Sequence, residues 1–459
     1  MPQTEPKPLG TPIADFVREY AASGCARFHM PGHKGAARLG CEALDITEIE
    51  GADCLGSADG IIAQSEKNAS AVFGSGATFY ATEGSSICIR AMLHLALQYR
   101  PQGASRLIVA ARNVHRAFLS AAALLDFEIL WLHQSDKDTL CSCTVEADAL
   151  AAVLDSLPCP PAAVYITSPD YLGNEADLPA LCAVCHARGT RLLVDNAHGA
   201  YLRFLPKSRH PMQCGADLCC DSAHKTLPVL TGGAYLHLSA SLPRTFFESA
   251  REALLLFAST SPSYLTLASL DLCNAALQAE YPAKLQQTCM QLDRLRLVLQ
   301  KRGYAVQKSD PLRITLRACG GQSGTALANA LRRAGAECEY ADRDFLVLMA
   351  TPDNSSADFE RLLQALPPCA PAAPHQPPAL PSLPQRVLSV RAAMFAKQKN
   401  VSPEEAVGCI CGAPTVSCPP AVPIAMCGER IGHDALALFR YYGIETVRIV
   451  EPPQKAQSL

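Results

Sequence analysis

Six short runs of almost unbroken apolar residues, at 106–111, 128–132, 162–167, 191–195, 217–220 and 233–238, constrain this chain more than any other feature. A strand with one wet face alternates apolar and polar residues, whereas a strand covered on both faces does not. Helical stretches separate the runs, so the expected class is α/β, with a mostly parallel sheet between helix layers. Polar residues gather where several runs end, in Thr167-Ser168-Pro169, Asp195-Asn196-Ala197-His198 and Ser222-Ala223-His224-Lys225. Open α/β sheets bind ligands outside that edge.

At 459 residues the chain exceeds one compact core. A long helical stretch over 264–302 is expected to bridge two domains, the second a small α+β unit with a strand at 313–317, a helix at 324–334 and a strand at 345–350. Eight prolines fall within the nineteen residues 366–384, which read as an extended linker. The expected division is an N-terminal segment at 1–75, a large domain at 76–285, a small domain at 286–365, the linker at 366–385 and a C-terminal domain at 386–459.

With 49% hydrophobic and 18% charged residues, the chain fits a soluble enzyme whose surface is partly buried in an oligomer. A net charge of −3 gives no basic footprint, so neither nucleic acid nor an anionic membrane is an expected partner. Residues 1–10 lack the apolar core of a signal peptide and no apolar run is long enough to span a bilayer, so the expected location is the cytoplasm. The 21 cysteines are scattered through a chain with ample core and read as reduced, mostly buried thiols. Cys182 and Cys185 form a CxxC beside His186, and Cys409 and Cys411 a CxC, but no second CxxC stands at zinc-finger spacing. No metal is expected.

The chemistry centres on Lys225 and Asp195, thirty positions apart at the ends of successive runs. A lysine amine can form a Schiff base with a cofactor aldehyde, and a carboxylate that keeps a pyridine nitrogen protonated makes the ring an electron sink. Thr82-Glu83-Gly84-Ser85-Ser86 leads into a helical run, and the unpaired N–H groups at such a terminus bind phosphate. By themselves these serines would be ordinary N-caps. His115 lies in the polar turn Arg112-Asn113-Val114-His115-Arg116, either as a surface residue or as an aromatic plate against a ring. His198, Ser222 and His224 complete the set beside the two strand ends.

Phe28-His29-Met30-Pro31-Gly32-His33-Lys34-Gly35, Asp45-Ile46-Thr47-Glu48, Asp195-Asn196-Ala197-His198-Gly199, Ser222-Ala223-His224-Lys225 and Thr260-Ser261-Pro262-Ser263-Tyr264 resemble the signatures of the Orn/Lys/Arg decarboxylases, pyridoxal phosphate enzymes of fold type I. The resemblance runs from about position 12 to 431 and is to the short members that lack a wing domain, so large assemblies are not expected. It implies that Lys225 carries pyridoxal 5'-phosphate, that Asp195 partners the pyridine nitrogen and that His115 stacks on the ring. Ser85, Ser86 and Ser222 would contact the phosphate, His198 would lie beside the cofactor, and His224 would be the proton donor. Thr260 and Ser261 would reach the phosphate of a neighbouring subunit, which implies a homodimer with composite sites.

Four positions depart from the family pattern: Asp170 for a threonine, Ala421 for a glycine, and Cys418 and Cys427 for an aromatic residue and a proline. Asp170 is expected either in an exposed turn or facing a cationic substrate. The implied reaction is α-decarboxylation of lysine, arginine or ornithine. An aminotransferase is the enzymatic alternative, against which no arginine stands out to clamp a substrate carboxylate. A non-catalytic pyridoxal phosphate sensor is the other alternative.

Overall fold

The computed structural model describes residues 8–132, 139–414 and 422–451. Its central sheet has seven strands: β1 (Ala77–Ala81), β2 (Leu107–Ala110), β3 (Glu128–Trp131), β4 (Ala163–Thr167), β5 (Leu192–Asp195), β6 (Leu218–Asp221) and β7 (Ala234–Leu238). They lie in the order β1-β7-β6-β5-β4-β2-β3, with only β7 antiparallel to its neighbours. The fold is α/β, and all of β5, β6 and β7 is buried. β1 was not among the six apolar runs because Thr78 interrupts it. The Thr78 hydroxyl is buried against His237 Nδ1 at 2.8 Å, so a residue that reads as polar sits inside without an open valence.

Because β7 runs against both neighbours, the C-terminal ends of β1, β2, β4, β5 and β6 share one edge. Thr167 pairs with Asp195 and Asp195 with Cys220, so the turns after β4, β5 and β6 stand side by side there. The helix Ser85–Gln98 leaves the same edge after β1 and is buried along nearly its whole length. Such a helix, apolar on most faces, belongs inside the molecule rather than on its surface.

The long helical stretch is two helices, Tyr264–Gln278 and Tyr281–Lys301. Ala279 leaves helical geometry at φ −92°, ψ −94°, and Pro282 in the first turn of the second helix cannot donate a hydrogen bond back to the first. The proline was the available signal for the break. Beyond it, β8 (Ala305–Gln307), β9 (Arg313–Arg317), β10 (Tyr340–Ala341) and β11 (Phe345–Met349) form an antiparallel sheet in the order β10-β11-β9-β8. The proline-rich segment has no helix or strand, but it is a strap laid along this sheet rather than a free spacer. Leu366 is buried, Cys369 N–H donates to the Arg302 carbonyl at 2.8 Å, and His375 N–H donates to the Ala318 carbonyl at 3.0 Å.

In the C-terminal region β12 (Gln398–Val401) pairs antiparallel with β13 (Val447–Val450), beside the helices Val390–Phe395 and Ala435–Tyr441. A fully buried, two-pronged ion pair fastens it to the large sheet. Arg112 Nη1 and Nη2 donate to Glu429 Oε1 and Oε2 at 2.6 and 3.0 Å across 317 residues of chain. Removing one partner of such a pair strands a buried charge and costs about 3–5 kcal/mol. No described helix is long and apolar enough to cross a membrane.

Candidate active site

Lys225 sits on the single helical turn Ala223–Thr226, directly after β6 and half-buried at the sheet edge. Its Nζ lies 2.9 Å from His198 Nε2. Burial pushes the Lys225 amine below its ordinary value, while nearby Asp195 pulls it partly back. Burial also holds His198 well below the usual histidine range, and Lys225 and Arg313 depress it further. The imidazole is therefore neutral and accepts from the lysine at Nε2, which leaves the proton on Nδ1, a buried nitrogen with no partner among the described residues. The Tyr171 ring meets His198 edge-on, with centroids 5.3 Å apart.

Asp195 ends β5 with its carboxylate buried. Tyr165 Oη donates to Oδ2 at 3.0 Å and Ala197 N–H donates to Oδ1 at 3.2 Å. Tyr165 lies on neighbouring β4, two positions before Thr167, and was not visible as a site residue in the sequence. Nor was the network beneath the two turns. Asn196 Nδ2 donates to Asp221 Oδ1 at 2.7 Å, and the other oxygen of Asp221 meets His210 and His237 at 2.9 and 3.1 Å. The two histidines hold the Asp221 carboxyl well below the usual range despite its burial.

Among the described residues, His210, Cys219 and Asp221 are close enough together to be weighed as metal ligands. The hydrogen bonds give them another task. His210 Nδ1 accepts from Met212 N–H, so its proton is on Nε2, pointed at Asp221, and no lone pair faces a cation.

Ser85 opens the helix Ser85–Gln98, with Ser86 next and partly exposed. The Ser222 hydroxyl donates to Ser85 Oγ at 2.7 Å, bringing the β1 and β6 turns together. Two glycines allow this approach. Gly84 takes φ +82° at the helix cap and its N–H donates to the Gly232 carbonyl at 2.7 Å, while a Cβ on Gly232 would lie 2.4 Å from the Thr82 carbonyl oxygen.

His115 caps the helix Arg116–Leu125, its Nδ1 accepting from Ala117 N–H at 3.1 Å. This cap fixes the ring, and burial lowers its affinity for a proton. His224 donates from Nδ1 to the Gly233 carbonyl at 3.1 Å, which leaves Nε2 free to exchange a proton; burial lowers this histidine too.

Thr260 and Ser261 stand apart from this cluster within one chain. Both are exposed, and Ser259 N–H reaches Glu83 Oε1 at 2.8 Å. Thr260 helps line a separate cavity of about 280 Å³ bounded by Glu48, Thr82, Glu83 and Arg251.

Asp170 is neither exposed nor open to a ligand. It is buried in the turn after β4, where Oδ1 accepts from Leu172 N–H and Asn174 N–H and Oδ2 from Asn174 Nδ2, at 2.7–2.9 Å. Cys427 is buried, and burial pushes its thiol up to about 12. Cys418 and Ala421 lie outside the described residues. Cys182 and Cys185 are buried in the core, and His186 turns instead to Asp217 Oδ2 at 3.0 Å.

An arginine not singled out in the sequence does lie in this region. Arg313, at the start of β9, is buried and paired with Asp310, with Nε and Nη2 free of partners among the described residues.

Residues 11–315 match the family model described as Orn/Lys/Arg decarboxylase, major domain. Over 93% of both chains the protein is 29% identical to the uncharacterized protein YaaO of Bacillus subtilis. It is 27% identical to arginine decarboxylase of the same organism, over 93% of this chain and 92% of the relative. Among solved structures, lysine decarboxylase of Francisella novicida superposes with a TM-score of 0.79 at 17% identity, covering 96% of this chain and 81% of that one. Serine palmitoyltransferase of Sphingomonas wittichii gives 0.54 at 17% identity, covering 77% and 82%. These likenesses agree on the fold.

Proposed function

We propose, from the premise that this chain belongs to the Orn/Lys/Arg decarboxylase family, that it is a pyridoxal phosphate-dependent decarboxylase of lysine, arginine or ornithine. The observation that carries the reading is the meeting of Lys225, His198 and Asp195 on one sheet edge, beside a helix terminus where Ser85 and Ser222 touch.

The residues present fit the cofactor. The N-terminus of the helix Ser85–Gln98 offers unpaired N–H groups and the hydroxyls of Ser85, Ser86 and Ser222 to a phosphate. Asp195, oriented by Tyr165, offers an anion to a pyridinium nitrogen. The unpartnered Nδ1–H of His198 is a donor awaiting an acceptor. When bound, the cofactor supplies an electron sink for the pair left behind as the carboxyl departs as CO₂.

The chain's own groups prepare that chemistry. Burial lowers the Lys225 amine toward its neutral, nucleophilic form, and His198 Nε2, which accepts from it, holds the amine in place. His115, fixed by its cap, walls one side of the pocket. His224 Nε2 is suited to return a proton to the substrate carbon. Thr260 and Ser261, exposed in one chain, suit a site completed by a second copy in a homodimer.

The test is to load the purified protein with pyridoxal phosphate and offer lysine, arginine and ornithine separately, measuring CO₂ and identifying the amine. Steady CO₂ with one diamine or agmatine is the expected result. Release of a keto acid would overturn the reading in favour of transamination, and binding without turnover in favour of a sensor.

A further inference from the structure

The turn that carries His115 is held from a distance. Arg112, three positions before His115, has 2% of its side chain exposed, and its only ion-pair partner among the described residues is Glu429. Glu429 has 3% exposed and belongs to the Gly428-Glu429-Arg430-Ile431 segment, to which the reaction assigns no part.

Glu429 is itself immobilised. Met426 N–H donates to its Oε2 at 2.8 Å, Cys411 N–H donates to its carbonyl at 2.8 Å, and its backbone forms a bridge with Arg386. On the other side, Asn113 and Val114 are buried, so the whole segment from Arg112 to the His115 cap is packed. The Arg112 guanidinium also lies over the Trp131 ring at 5.7 Å. Trp131 packs on Phe118, Phe118 on Tyr165, and Tyr165 hydrogen-bonds Asp195. A rigid carboxylate thus grips a planar cation three positions before a ring whose backbone has no slack.

We infer that Glu429, through Arg112, is a positioning residue for His115, so that the C-terminal region sets the fit of the cofactor pocket without touching its contents. The inference rests on the proposed cofactor chemistry and adds a residue to it. A carboxylate that only glued two regions together would affect stability alone. One that positions His115 must lose its effect on the pocket when His115 is absent.

The experiment is a double-mutant cycle on the full chain, reading the pyridoxal phosphate dissociation constant and the visible ellipticity of the bound chromophore. Glu429→Gln keeps the shape of the side chain and removes its charge. In the His115 background it should weaken cofactor binding about tenfold and change the ellipticity. In the His115→Ala background it should change binding less than about twofold. Arg112→Lys, which keeps the charge but loses the two-pronged grip, should repeat the pattern and serves if Glu429→Gln does not accumulate as folded protein. Ser402→Ala removes the capping box of the short helix Pro403–Ala406 in the same region and should leave both readings unchanged. Equal effects of Glu429→Gln with and without His115, or no effect in either, would overturn the inference. If the unaltered chain fails to bind pyridoxal phosphate at all, the proposed function fails instead.

Discussion

The turn around Lys225 and the segment around Ser261 come from equally clear sequence signals, yet they occupy opposite conditions in the folded chain. Ser222 is buried and bonded to Ser85, and Lys225 is in contact with His198. Thr260 and Ser261 lie open on the surface near Glu83. A polar residue whose task is completed within its own chain is desolvated and partnered by that chain. In the proposed homodimer the exposed Thr260 and Ser261 would find their partners in the second copy.

The largest effect that could break this contrast is at Lys225. Lys225→Ala should lower turnover on the order of 10³-fold or more, and borohydride reduction of the unaltered loaded protein should leave the pyridoxyl group on the peptide that contains Lys225. A label on Lys34 would remove the inner turn from its role.

Asp195→Asn comes next. Its charge should favour the developing carbanion more than the bound substrate, so the variant should keep the cofactor and lose about 10²-fold in kcat, close to 2.7 kcal/mol of barrier. A near-normal rate would mean that another group holds the ring proton.

The outer segment is tested by mixing. Chains carrying Lys225→Ala and chains carrying Thr260→Ala with Ser261→Ala, each shown to be inactive alone, should after subunit exchange recover roughly a quarter of the normal activity, because half the dimers are mixed and each has one intact site. Mixed dimers that recover nothing would place Ser261 in the service of its own chain.

The smallest effect sharpens the inner half of the comparison. Lys225 titrates below its ordinary value in the folded chain, so between that lowered value and about 10.4 the unfolded chain binds more protons and stability rises with pH. Lys225→Met should therefore make the cofactor-free protein more stable near pH 7 by about 1 kcal/mol, with the advantage shrinking as pH approaches 10. Urea melts at several pH values would show this. A constant difference would mean that packing, not charge, is responsible.

The sheet and the residues at its edge were legible because burial on both faces removes polar residues from strands and leaves them at strand ends. What stayed hidden depended on partners distant in sequence. Thr78 hid β1 because its buried partner, His237, is 159 residues away. Asp170 read as an exposed turn residue because the amides that claim it become donors only once the turn is formed. Tyr165 looks in sequence like any other residue of a buried strand, because its bond to Asp195 crosses to the neighbouring strand. The break at Ala279 was marked by Pro282 and could have been read.

The link between Arg112 and Glu429 also imposes an order in time. The two residues are 317 positions apart, so at ordinary rates of protein synthesis Arg112 is made roughly 15–60 s before its partner. During that interval the growing chain can form its central strands, but the arginine beside the future pocket has no carboxylate to close on. A chain cut short before Glu429 would lose the latch, so on the inference above the full grip of the proposed pocket on its cofactor is expected only after Glu429 has been made.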